Sequence, residues 1–137
     1  MTNGRINVGV GLLTMAFFMA YGFFLIYLRD FAPGKEEWIA QYSTGKHFET
    51  RLAHVHGNLF ASLNILIGFV VPRLTAGESA RRATSIMALI GLLMPIGILL
   101  EVYLGAPPIF VLIGAASMTA SVALAGALAL RGWSAEA

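Results

Sequence analysis

The stretch Arg51-Leu-Ala-His-Val-His-Gly-Asn-Leu-Phe-Ala-Ser-Leu-Asn64 sets two histidines and two asparagines within one otherwise apolar segment. Imidazoles and amides at membrane depth are costly unless they are bonded or used, so this segment is where chemistry is expected. At about 100° per residue on a helix, His47, Arg51, Gly57, Asn58, Ala61 and Ser62 all fall within about 80° of His54. That stripe fits a cleft for a cofactor or substrate, with His54 as ligand, Gly57 and Ala61 leaving room for a flat group, and Asn58 and Ser62 supplying hydrogen bonds. The competing reading is that His54, Asn58 and Ser62 bond to neighbouring helices and hold the packing. His56 points to the opposite arc, among Val55, Leu59, Phe60, Leu63 and Ile67, and is the reserve ligand. Histidines at i and i+2 lie about 200° apart on a regular helix and cannot share one metal, so a single axial imidazole is the expected chemistry.

Other chemistries are poorly served. The chain has no cysteine, which excludes thiolate metal sites, disulfides and covalent haem attachment through sulfur. Gly9-Val-Gly11 lies inside an apolar run with no strand before it, and no phosphate loop, nucleophile elbow or His-Glu-x-x-His occurs. A net charge of +2 without a basic run gives no footprint for nucleic acid. Glu101 and Tyr103 close the third apolar run, where a carboxylate is ordinarily hydrated at the interface.

The elements that must position the stripe follow from composition. Of 137 residues, 58% are hydrophobic and 12% charged, about half the charged share of a soluble domain. Mean hydropathy is +0.77. A bilayer core needs roughly 20 apolar residues per helix, and such windows run at about 8–28, 52–71, 84–104 and 109–130. The expected fold is all-α, an integral membrane four-helix bundle forming a single transmembrane domain over 1–137. Residues 29–46 form the one substantial loop, opened by Pro33-Gly34, whereas 75–78 and 105–108 are tight connections. Pro95 should loosen the third helix and open space opposite the polar stripe. Ala115, Thr119 and Ala123 at four-residue spacing, with Ser117, Ser121 and Ala125 nearby, should let the fourth helix pack closely. Arginines flanking the short middle loop favour cytoplasmic termini, and the expected setting is a bacterial inner membrane.

Leu52-Ala-His-Val-His-Gly57 opening the second helix, Pro72 eighteen residues after His54, and a basic third-helix start at Ser79-Ala-Arg-Arg82 together resemble the styrene oxide isomerases and related hydroxylaminobenzene mutases. The resemblance covers roughly residues 51–100. It implies a membrane homo-oligomer, a trimer, binding haem b through His54. It further implies a ferric iron acting as Lewis acid, which opens a small apolar aromatic epoxide to an aldehyde without net redox change. The chain departs from that family at two places. The family's asparagine six residues after the histidine is Phe60 here, with Asn58 and Asn64 on either side, and its third-helix tyrosine is absent from Pro95-Ile-Gly-Ile-Leu-Leu100, the nearest being Tyr103. Asn58 is therefore expected to replace the amide and Tyr103 the phenol. Two other readings stay open: a haem protein for electron transfer or sensing, and a non-catalytic subunit that packs other membrane proteins.

Overall fold

In a computed structural model, which describes residues 4–134, every long apolar run is helical. Helix α1 spans Gly4–Asp30, α2 Lys35–Ala40, α3 Gly45–Val70, α4 Glu78–Gly91, α5 Leu93–Leu104 and α6 Ile109–Arg131. Helices α1, α3 with its short continuation to Arg73, the α4–α5 pair, and α6 are each long and apolar enough to cross a membrane, making an all-α four-helix bundle. Their order in space follows the chain: α1 packs most extensively on α3, α3 on α4 and α5, and those two on α6. Both chain ends meet the middle connection on one side, with Gly4 against Gly68 and Pro72, and Trp133 bridged to Leu74.

Several expectations need correction. The second long helix begins at Gly45, not near 52, because its polar first turns continue the same helix up to the loop. That loop is itself structured: Gly34, in left-handed backbone, starts the short α2, whose Trp38 ring stacks on His47 at 4.7 Å. The inward face of α3 keeps His47, Gly57 and Ala61 of the polar stripe but is rotated by part of a turn, taking in Ala53, Phe60, Asn64 and Ile67. Its buried residues are His47, Thr50, Ala53, Gly57, Phe60, Ala61, Asn64, Ile67 and Gly68, while Val55, Leu59 and Leu66 are exposed. Phe60, on the arc opposite His54, packs in a core cluster with Leu92 and Met118. On α6 the inward face is Gly114, Met118, Ser121, Ala125 and Leu128, and Thr119 and Ala123 face outward. The close approach occurs at Gly114, where a Cβ would lie 2.1 Å from the Met94 nitrogen.

Pro95 breaks the third span as its chemistry requires. It has no N–H to donate to Gly91, and the chain turns at Leu92, whose N–H goes to Leu89 O at 3.1 Å. Ala88 O instead accepts from Asn64 Nδ2 at 2.9 Å. Around it lies a fully buried polar cluster. Asn7 Nδ2 donates to Asn64 Oδ1 and to Ser85 O, each at 3.0 Å, and Ser85 Oγ donates to Asn7 Oδ1. From the far side, Ser117 Oγ and Ser121 Oγ donate to Met87 O and Thr84 O. Backbone carbonyls of α4 thus take side-chain donors from α1, α3 and α6.

Asn64→Ala should therefore destabilise the solubilised protein by about 1–3 kcal/mol, since it leaves Ala88 O unpaired in the core and removes one of the bonds of Asn7. Asn58→Ala should do little, because Asn58 donates within its own helix. Unfolding midpoints of both variants in one detergent compare them directly, and equal midpoints would show that the Asn64 cluster holds nothing together.

Candidate functional site

The outer half of the α1–α3 seam is where the polar stripe meets open space. Nearer the chain ends the seam is closed by backbone: Gly4 faces Gly68, and Gly11 faces Ala61 O, leaving no room for a Cβ. Further along, the Phe18 ring fills the seam over Gly57 and is fully buried. One turn beyond, the His54 ring lies against Gly22, where a Cβ would come within 2.6 Å of His54 Cε1. From there a groove of about 580 Å³ runs toward the loop, lined by His47, Arg51, His54 and Asn58 of α3 and by α1 residues including Phe23 and Arg29. Its volume falls in the range of small-molecule sites, about 300–1,000 Å³.

The tautomer of His54 follows from its partner. Nδ1 lies 2.8 Å from Phe18 O, and a carbonyl oxygen only accepts, so Nδ1 carries the proton. In the neutral ring Nε2 is then a bare lone pair, with no protein partner among the described residues. This is the arrangement metal-binding histidines ordinarily have, with the non-ligating nitrogen bonded to a carbonyl that fixes the ring. Asn58 Nδ2 donates to His54 O at 2.9 Å, one turn along the same wall. Its Oδ1 takes no bond among the described residues.

Not every predicted residue joins them. Gly57 and Ala61 are both buried, and the room they leave is taken by Phe18 and by the backbone of α1, not by the groove. Ser62 is exposed and donates to Asn58 O. His56 is half-buried outside the groove, with Nδ1 donating to Leu52 O at 2.9 Å and its ring edge-on to Phe60. Tyr103 lies in a separate cavity of about 350 Å³ with Phe24, Trp38 and Lys46. There its hydroxyl bonds Tyr21 at 3.0 Å and Lys46 Nζ sits over its ring. Among the described residues no group of three or more His, Cys, Asp or Glu could hold a metal ion. The wheel missed the α1 wall altogether, because Gly22 and the Phe18 carbonyl carry no side-chain signal. A small residue amid the aromatic run Phe17-Phe18-Met-Ala-Tyr-Gly22-Phe23-Phe24 is the one hint the sequence holds.

No family model matches the chain, and no curated protein and no solved structure matches it either. Gly22→Ala should push the His54 ring off the Phe18 carbonyl. Imidazole ¹⁵N spectra should show a single Nδ1–H tautomer for His54 in the parent and a mixture in the variant; an unchanged spectrum would mean the ring does not depend on that glycine.

Proposed function

We propose that the groove is a haem b site in a membrane isomerase, with His54 as the residue that would bind its iron and a small apolar aromatic epoxide as substrate. The observation that carries the proposal is the bare Nε2 of His54, fixed by the Phe18 carbonyl at the edge of an open groove. The donor set fits such a group: one imidazole whose Nδ1 is taken by a carbonyl, its Cε1 turned toward Gly22, and apolar side chains along the groove. When bound, ferric haem would supply a Lewis acid that polarises the carbon–oxygen bond of an epoxide.

The chain's own residues account for the rest. His54 holds the group and Asn58, a turn along the helix, offers an amide oxygen to position a polar atom of the substrate. Met19, Phe23 and Ile26 line the groove and are exposed, so an apolar substrate would reach His54 from the bilayer. Where water is excluded, rearrangement is favoured over hydrolysis: the benzylic carbon–oxygen bond opens, a hydride moves from the oxygen-bearing carbon to the benzylic carbon, and an aldehyde leaves with no net redox change. Tyr103 lies in the separate cavity and takes no part in this reading. The open lipid-facing side is consistent with completion by another copy in a homotrimer. We place the protein in a bacterial inner membrane with cytoplasmic termini, on the arginines Arg73, Arg81 and Arg82 that flank the middle connection.

Purified in detergent and titrated with hemin, the protein should develop a Soret band that His54→Ala abolishes and His56→Ala leaves intact, and the loaded protein should convert a small aryl epoxide to its aldehyde. A protein that stays colourless with hemin would end this reading in favour of a packing subunit. A coloured but inactive one would leave the electron-transfer or sensing role.

A further inference from the structure

The groove has a charge pattern that His54 does not explain. Its lining includes two arginines and no carboxylate, and both arginines lie at the loop end, while Met19 and Phe23 mark the apolar end. The arginines differ in state. Arg29 is already matched, since its Nε and one terminal nitrogen donate to the two carboxylate oxygens of Asp30 at 2.9 and 2.8 Å. Arg51 meets no carboxylate among the described residues. Its guanidinium lies 3.8 Å from the Tyr42 ring centre and gives one N–H to Tyr42 O at 3.1 Å. The group is thus held in place with most of its donors unspent.

Arg51 sits three residues before His54 on the same face, about 4.5 Å along the helix axis. A ligand seated on His54 and extending toward the interface passes it. A guanidinium fork matches a carboxylate with two parallel hydrogen bonds, and at the edge of the bilayer such a bond is only partly screened.

We infer that Arg51 anchors the carboxylate end of an amphipathic planar ligand whose other contact is His54. For the haem proposed above, that carboxylate is a propionate, so this inference rests on the haem reading and adds a second binding residue to it. An anionic lipid head would offer Arg51 the same kind of oxyanion, and the test separates the two sources.

The test is a set of Soret titrations in a neutral maltoside detergent. Parent, Arg51→Gln, Arg51→Lys and His54→Ala are each titrated with hemin and with hemin dimethyl ester, whose propionates carry no charge. The parent should prefer hemin over the diester by about tenfold or more, the scale of one charge-assisted bond. Arg51→Gln should remove that preference by weakening hemin alone, and Arg51→Lys, which keeps the charge without the fork, should retain part of it. Comparing ratios cancels the different partitioning of the two ligands into detergent. Should Arg51→Gln fail to fold by circular dichroism, the intermediate preference of Arg51→Lys carries the test. An unchanged hemin-to-diester ratio in the Arg51 variants, with His54→Ala still abolishing both signals, would overturn the anchor and leave the haem site standing. The anchor is equally overturned if Arg51→Gln loses co-purifying phosphatidylglycerol while its ratio stays at the parent value, since the partner is then a lipid head. Failure of the parent to bind either porphyrin would remove the haem reading and this inference together.

Discussion

Inside a bilayer no water is available to satisfy a polar group, and the structure turns on how the carbonyls of α4 are satisfied. The break ahead of Pro95 diverts the Leu92 N–H to Leu89, and Asn64 reaches across from α3 to bond Ala88 O. Asn64 in turn receives a bond from Asn7, which also holds the Ser85 carbonyl, so α1, α3 and α4 are pinned at one level. Ser117 and Ser121 tie α6 to the same helix. Between apolar helices in apolar solvent, such bonds and close packing replace the hydrophobic effect that would order a soluble core.

That pin sets the geometry of the groove at the other end of the α1–α3 seam. Where Asn7 and Asn64 meet, glycines let the two backbones touch, at Gly4 against Gly68 and Gly11 against Ala61. Moving outward, the filler between the helices becomes an aromatic ring at Phe18 and then the imidazole of His54. The space that follows is the groove. A seam closed by backbone at one end and by side chains at the other leaves a recess without any loop having to build one.

The four spans, the break at Pro95 and the clustering of His47, Arg51, His54 and Asn58 were legible from hydropathy and helical period alone. The phase of α3 was not. A wheel ranks faces by polarity, and it left Phe60 on the apolar arc opposite His54; in a membrane the outward face is apolar too, so polarity does not distinguish lipid from core. The inward face is marked instead by small residues and by Asn64, whose partners lie on other helices. Asn7 escaped notice for a related reason. It precedes the first apolar window, which starts at Val8, and its use depends on Ser85, which no local pattern connects to it.

The three histidines show how far a shared local geometry can leave function undecided. Each gives its Nδ1 proton to a backbone carbonyl: His56 to Leu52 in its own helix, His47 to Trp38 in the loop helix, and His54 to Phe18 across the seam. All three therefore carry a bare Nε2 when neutral. His56 lies outside the groove, and His47 lies in it but is nearly enclosed beneath the stacked Trp38 ring. Only His54 combines groove access with an orientation set by a second membrane helix. Phe18 O is one turn before Gly22, and the imidazole reaches it because Gly22 carries no side chain to block the approach. Binding at Nε2 is thereby tied to the α1–α3 contact: a change in the spacing of those helices alters the ligand's reach before it alters any residue of the groove.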